Sequence, residues 1–236
     1  MNTIVQTLLY SLLPAGTMIA GSALPLVYRP SGRVRSATQH FAAGVVFAVA
    51  TIELLPDVVA EHTPVETGIA FMAGVALVLG IRTLSSRWSR GEHESESSPG
   101  ALIATVGIDV AIDGVLVGIG FAAGLSEGRL LAFALAIEGL TLGLVTTLTL
   151  LQTWRRGRSV LISASLGLLF VIGGLAGASV LANLSSHAIS LALAFGLAAL
   201  LFLVTEELLV EAHEVPETPL ITSLFFVGFL LFMLIG

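Results

Sequence analysis

Long apolar segments alternate with short polar connections along almost the whole chain. The segments lack the two-residue alternation of transmembrane β-strands, which cross a membrane with about ten residues. An apolar helix of about 20 residues crosses a hydrocarbon core of roughly 30 Å. The pattern therefore predicts an all-α, polytopic membrane protein with eight transmembrane helices in a single domain, residues 1–236. The predicted helices span residues 3–27, 40–60, 67–84, 101–124, 130–151, 160–182, 188–210 and 219–235.

The composition agrees with a protein that lies within a lipid bilayer. Of the 236 residues, 56% are hydrophobic and 11% are charged, whereas an average soluble domain contains about 25% charged residues. The sequence contains no cysteine, which excludes metal sites built from thiolates. The formal net charge of −6 gives no indication of a nucleic-acid partner. The apolar composition instead implies the lipid bilayer as a partner.

The arginine positions predict how the helices cross the membrane. Nine of the ten arginines fall in the connections after the first, third and fifth apolar segments, and basic residues concentrate in cytoplasmic loops. These connections, which include the polar loop 85–100, are therefore expected in the cytoplasm, and both termini outside it. The chain is accordingly predicted to be a multi-pass protein of the cell membrane.

Two stretches of similar sequence end the second and seventh segments. TIELLPD (51–57) and TEELLVE (205–211) share four identical residues and one acidic pair, each pair 154 positions apart. With the orientation given by the arginines, the two stretches lie at opposite faces of the membrane. An inverted repeat has this property, and it predicts three helices, a central pair and three more helices. Inverted repeats are characteristic of secondary transporters.

Three carboxylates interrupt the central pair of segments. Asp109 and Asp113 lie four residues apart and therefore on one face of the fourth helix, and Glu138 lies at a similar depth in the fifth. The short loop 126–129 would make these helices antiparallel neighbours, so the three acids are expected to converge near mid-membrane. An aspartate at a helix centre costs about 2.5–3.5 kcal/mol, and every arginine is expected in a loop or at a helix end. Three possibilities stay open: protonated acids that join helices, a proton relay, or a cation site.

Further acidic and histidine side chains mark both ends of the predicted helices. Two acidic rims that are related by a repeat, with acids between them, indicate a path for cations through the membrane. The expected entrance consists of Asp57 and His62, the expected exit of Glu206, Glu211 and His213, and Glu53 and Glu207 lie beside them.

Together these features resemble the ZIP (Zrt-, Irt-like) family of divalent metal transporters over nearly the whole chain. HFAAGVVFAVATIELLPD (40–57) follows the pattern of the family's helix two, and EELLVEA (206–212) is similar to His-Glu-Leu-Leu-Pro-Glu-Ala in its helix seven. The helix-four motif His-Asn-x-Pro-Glu-Gly maps onto residues 109–114. The related helix-five motif maps onto 134–139, with Glu138 as its second ligand. The resemblance implies inverted outer triplets in a 3+2+3 arrangement, and a homodimer.

The chain departs from the family motifs at several positions. Asp109 replaces the histidine, Val110 the asparagine, Ala134 the first helix-five ligand, and Ile112 and Ile137 the two prolines. The resemblance therefore implies one metal site where the family has two. Its expected ligands are Asp109, Asp113 and Glu138, joined by Glu53 or Glu207. Carboxylate oxygens are harder ligands than imidazole, and the resemblance implies zinc, iron or manganese without selecting one of them.

The leading hypothesis is transport of a divalent metal cation toward the cytoplasm, by alternating access through a mid-membrane carboxylate site. Two alternatives stay open: a non-transporting protein that binds or senses metal, and a cation/proton exchanger. An enzyme is not expected, because the chain has no His-Glu-x-x-His motif of a metalloprotease. A serine protease would need a histidine at the centre of a helix, and none is predicted there. The metal ion is thus expected as a substrate.

Overall fold

The structure, a computed structural model, describes residues 2–60, 63–91, 99–182, 184–213, 215–216 and 218–235, with only the backbone described for residues 84–91. Nearly all of these residues are helical, and none of the described residues lies in a β-strand. The prediction of an all-α fold is therefore confirmed. In chain order the helices are α1 (Thr3–Leu26), α2 (Gly32–Ala60), α3 (Pro64–Gly91), α4 (Pro99–Ala123), α5 (Leu125–Leu150), α6 (Arg156–Leu181), α7 (Ser186–Ala212) and α8 (Pro219–Ile235).

The length and surface of these helices suit a membrane. Helices α1 to α7 are long and apolar enough to cross one, and α8 is apolar but shorter, with 17 residues. Large apolar side chains cover much of the outer surface. Examples that are at least 64% exposed are Val65, Ile69, Leu161, Leu168 and Leu234. Soluble monomers rarely expose apolar surface on this scale, so the helices indicate a membrane-embedded protein.

Two helices are capped by serine residues. The helix α2 begins at Gly32, well before the predicted residue 40, and the Ser31 hydroxyl accepts a hydrogen bond from the Val34 N–H at 3.4 Å. In the same way, the Ser185 hydroxyl accepts a backbone N–H of α7 at 3.3 Å. A side-chain cap stabilises the start of a helix without adding hydropathy. Because the first turns of α2 are polar, the pattern of apolar residues does not predict them.

The connections around the central helices are shorter than predicted. The helix α3 continues to Gly91, so the predicted loop 85–100 is helical at its start. Residues 126–129, predicted as a loop, also lie in a helix, and Gly124 alone separates α4 from α5. Arginine, glutamate and serine lower the hydropathy of these segments but are tolerated in helices. In the longer α3, Arg82 lies nine residues before the end of the helix at Gly91 rather than next to it.

Within the described residues, two helices contain a π-helical segment. The segments are Val49–Leu54 in α2 and Val204–Leu208 in α7, which overlap the two stretches of similar sequence. Thr51 and Thr205 each donate a hydroxyl hydrogen bond to the carbonyl four residues earlier, at 2.8 and 2.9 Å. Such wide turns are rare and frequently lie at functional sites. The similar sequences therefore share a backbone irregularity.

Glycine residues allow close packing around the central pair of helices. Helix α4 packs against α5 and α6, and α5 packs against α1. Gly114 and Gly118 of α4 face the backbone of α6, whereas Gly139 and Gly143 of α5 face the backbone of α1. Small residues let membrane helices approach closely. Helices α4 and α5 are thus held between α1 and α6, which also contact each other.

The outer helices form two equivalent pairs. Helix α2 packs against α8, and α7 packs against α3. In the first pair the Phe41 carbonyl lies against Gly228, and in the second the Phe195 carbonyl lies against Gly74. Phe195 and Gly228 follow Phe41 and Gly74 by 154 positions, the spacing of the two similar stretches. The same contact is therefore made twice in the molecule.

Gly114→Ala is expected to lower the stability of the fold, because the new Cβ would clash with the Phe170 carbonyl oxygen of α6. Overpacking of this kind costs about 1–3 kcal/mol. The matched control is Gly80→Ala in α3, where no atom lies within 4 Å of the added Cβ. Thermal unfolding in detergent should give a lower Tm for Gly114→Ala than for Gly80→Ala. Equal Tm values would contradict the close contact.

Candidate cation site

Two buried acids occupy matching positions on neighbouring helices. They lie at the centre of the tripeptides Ile-Asp-Gly (112–114) in α4 and Ile-Glu-Gly (137–139) in α5. Asp113 is 5% exposed and Glu138 is 3% exposed. The glycine after each acid makes the close contact with α6 or α1, which fixes the helix at that point. Both acids therefore lie in the protein interior on rigidly packed backbone.

A small cavity between α3, α4 and α7 is lined by three acids. Its volume is about 20 Å³, which is enough for roughly one water molecule. Three carboxylates around such a space offer the oxygen ligands that hard divalent cations prefer. The lining residues are the acids Asp109, Asp113 and Glu207 and the apolar residues Val78, Ile112, Leu116, Ala199, Phe202 and Leu203.

Glu138 lies near this cavity but does not line it. Its carboxylate interacts electrostatically with Asp113, and also with Asp109 and Glu211. Among the described residues, Glu138 Oε2 has no hydrogen-bond partner. A buried polar atom without a partner costs about 1–3 kcal/mol and is uncommon in native proteins. This oxygen is therefore available to a proton or a cation that reaches the cavity.

Arg82 brings a positive charge to the cavity, contrary to the expectation that every arginine lies in a loop or at a helix end. Its Nη2 forms an ion pair with Glu207 Oε1, and its Nη1 donates to the Glu206 carbonyl at 3.5 Å. The guanidinium lies 4.8 Å from the centre of the Phe202 ring and interacts electrostatically with Asp109. Sequence reasoning missed this residue because the hydropathy pattern ends the third helix at residue 84.

Polar contacts join the N-terminal part of α2 to the C-terminal end of α7. Gln39 Nε2 donates a hydrogen bond to Glu211 Oε2 at 2.5 Å. The rings of His40 and His213 meet edge to face, with their centroids 5.3 Å apart. The structure thus places two expected exit residues, Glu211 and His213, in contact with α2. The third, Glu206, is exposed.

A vestibule of about 540 Å³ lies at the opposite end, between α2, α4 and α7. The expected entrance residue Asp57 lines it, as does Ser186. Glu53 does not line the cavity between α3, α4 and α7, and it interacts electrostatically with Glu127 and Asp57. The expected entrance residue His62 lies outside the described residues.

The vestibule and the cavity share no lining residue, and the wall of each includes a buried leucine. Leu193 lines the vestibule and Leu116 lines the cavity, and each is 3% exposed. Gly196 of α7 packs against the Leu116 side chain, which a Cβ at that position would approach to 3.0 Å. The two spaces are therefore distinct, and both leucines belong to the buried apolar core.

The acids around the cavity are not arranged as a closed set of metal ligands. In the part of the chain that the structure describes, no three His, Asp or Glu side chains are placed to hold one metal ion together. Of the five expected ligands, Asp109, Asp113 and Glu207 share the cavity, Glu138 adjoins it, and Glu53 does not line it. The ligand set therefore stays a prediction.

Comparison with known proteins leaves the function to be inferred from the site. The sequence matches no family model, and no curated protein matches it significantly.

Glu138→Gln and Glu207→Gln are expected to affect stability in opposite ways in metal-free buffer at neutral pH. The first keeps the side-chain shape and removes a buried acid whose Oε2 lacks a partner, so the Tm should stay unchanged or rise. The second removes the ion-pair partner of Arg82 and should cost about 1–3 kcal/mol. Thermal unfolding in detergent measures both variants. A lower Tm for Glu138→Gln than for Glu207→Gln would contradict these assignments.

Proposed function

We propose that the protein is a divergent ZIP-like transporter, which carries a divalent metal cation across the cell membrane toward the cytoplasm. The observation that carries this proposal is the cavity that Asp109, Asp113 and Glu207 share within an apolar helix bundle. Glu138 interacts electrostatically with Asp109 and Asp113, and Arg82 is the cation paired with Glu207. Four acids with one guanidinium leave an excess of negative charge. Excess charge away from water requires a counter-ion or protons, and a divalent cation is well suited to supply it.

We further propose that eight transmembrane helices form two inverted triplets, α1–α3 and α6–α8, around α4 and α5. Exchanging the two triplets converts the contact between α2 and α8 into the contact between α7 and α3. Related features also recur 154 or 155 positions apart. They are the capping residues Ser31 and Ser185, the π segments Val49–Leu54 and Val204–Leu208, and the helix starts Pro64 and Pro219. Inverted repeats around a central site favour alternating access.

The proposed route begins at the vestibule, where Asp57 attracts cations. We place the buried side chains of Leu116 and Leu193 between the vestibule and the cavity, so that a cation reaches Asp109 and Asp113 only after the helices rearrange. From there the ion continues toward the inner acids, Glu206 and Glu211, and His213. The orientation given by the arginines makes this direction inward, with both termini outside. A rearrangement that opens one end at a time is alternating access.

The proposed substrates are zinc, iron and manganese ions. The cavity offers carboxylate oxygens and no imidazole from its lining residues. Oxygen ligands suit Mn²⁺ and Fe²⁺, and zinc also binds carboxylates. Protons compete with metals for the same oxygens, so metal entry is expected to release protons from the acids.

A second candidate function is that of a non-transporting protein that binds or senses metal. The absence of three ligands in metal-holding positions among the described side chains favours it, as does the positive charge that Arg82 already brings to the cavity. A cation/proton exchanger that works outward is the remaining alternative, which rests on the carboxylates alone.

Metal uptake into proteoliposomes tests the transport proposal. Asp109→Asn combined with Asp113→Asn should lower the initial rate of Mn²⁺ uptake at least about tenfold, because loss of the charged oxygens removes more than about 1.4 kcal/mol of binding. Glu127→Gln, a change of the same kind near the outer end of α5, should leave the rate unchanged. Uptake that persists in the double variant would contradict the site.

The same vesicles separate the candidate functions. Calorimetric Mn²⁺ binding without uptake by the wild-type protein would identify a non-transporting binder. Outward metal flux driven by a pH gradient would identify an exchanger. Inward flux that saturates with metal concentration is the result expected for the proposed transporter.

Asp109→His is expected to shift selectivity toward zinc. The substitution introduces an imidazole into the cavity, and imidazole favours zinc over manganese more than a carboxylate does. Competition between Zn²⁺ and Mn²⁺ in the uptake assay should give a higher zinc-to-manganese ratio than the wild-type chain gives. An unchanged ratio would show that residue 109 does not contact the transported ion.

A further inference from the structure

Arg82 lies beside the cavity and is partly exposed. Its side chain is 33% exposed and that of Glu207 is 16% exposed, whereas Asp113 on the cavity wall is 5% exposed. The ion pair therefore lies between Asp113, the most buried acid of the cavity lining, and the inner end of the helices. It also joins α3 to α7, which pack against each other.

Several contacts hold the guanidinium in this position. Besides the ion pair with Glu207, Nη1 contacts the Glu206 carbonyl at 3.5 Å, and the plane lies against Phe202, a residue of the cavity lining. Asp109 attracts it from α4. An arginine in a membrane-spanning helix is costly without such partners, and both the fork of donors and the aromatic contact suit guanidinium better than ammonium.

We propose that Arg82 is an inner gate for the cavity. Its guanidinium binds Glu207 while the cavity holds no metal and closes the cavity toward the cytoplasm. A divalent cation that binds Asp109 and Asp113 displaces it and opens that end. The closure follows from the ion pair, and the displacing ion rests on the proposed transport function.

The divalent cation and the Arg82 guanidinium compete for the same acids, and this competition determines when the gate opens. A divalent cation in the cavity takes over the attraction of Asp109 and Glu207 and repels the guanidinium, and both effects are strong where the dielectric constant is low. The long aliphatic stem of arginine lets the charged end move toward water without moving the helix. Binding of the transported ion therefore favours the open inner end.

The absence of cysteine from the sequence allows a direct test. Ala199→Cys places one thiol on the cavity wall, and a charged, membrane-impermeant thiosulfonate is added to the inner face in metal-free buffer. Adding Arg82→Gln should raise the labelling rate at least about tenfold, which corresponds to about 1.4 kcal/mol of gate stabilisation. Glu207→Gln should have a similar effect, and both changes together should add little, because each removes the same ion pair.

Two control variants distinguish a gate from general loosening of the helices. Arg158→Gln removes another inner-end arginine, which lies over Trp154 at 4.1 Å, and it should leave the labelling rate unchanged. Ala122→Cys places the thiol in the vestibule, where Arg82→Gln should not change labelling from the outer face. Equal labelling of the Ala199→Cys chain with and without Arg82→Gln would overturn the gate.

Manganese ions alone serve as the probe for displacement. Mn²⁺ should raise the labelling of the Ala199→Cys chain when Arg82 is present, and should not do so after Asp109→Asn with Asp113→Asn. Unchanged or slower labelling with Mn²⁺ would overturn displacement by metal. If transport is the wrong function, Mn²⁺ uptake is absent while the effect of Arg82→Gln on labelling persists. If the gate is wrong, metal uptake persists while Arg82→Gln has no effect on labelling.

Discussion

A charge inside an apolar helix bundle needs a partner, and the arrangement around the cavity depends on this requirement. Asp113 and Glu138 are almost completely buried on neighbouring helices, where water cannot solvate them. Arg82 supplies one opposite charge, but it pairs with Glu207 rather than with the two deepest acids. The acids at the centre of the bundle therefore have no opposite charge from the protein, and a mobile cation or protons must neutralise them.

Hydropathy predicts the helices well because long apolar segments have few alternative structures in a membrane. It fails at helix ends, where a serine cap extends α2 and charged residues continue α3. The error at α3 matters most. Because the predicted helix ends at residue 84, Arg82 is expected at a helix end and not beside the cavity. Acid positions in the sequence indicated a central cluster, yet only the packing shows that Glu207 shares the cavity with Asp109 while Glu53 does not.

The proposed repeat is only partly visible in the sequence. The stretches 51–57 and 205–211 share side chains, so their similarity can be read directly. The contacts of Gly74 and Gly228 instead use carbonyl oxygens of the facing helix, and any residue supplies a carbonyl. Such contacts require only a small residue on one side, and glycine is common in membrane helices whether or not it makes a contact of this kind. The α2–α8 and α3–α7 pairs therefore pack in the same way even where their sequences show little similarity.

The two π segments have a mechanical consequence for the helices that contain them. A π turn holds one residue more than an α turn. Conversion of Val204–Leu208 to α-helical geometry would therefore rotate the residues beyond it by about 100° around the helix axis, without breaking the helix. The same conversion of Val49–Leu54 would rotate the C-terminal end of α2. Each segment therefore allows the helix to change its register by one residue. Such a change would turn a carboxylate beyond the segment toward or away from the bundle interior while the helix stays in place.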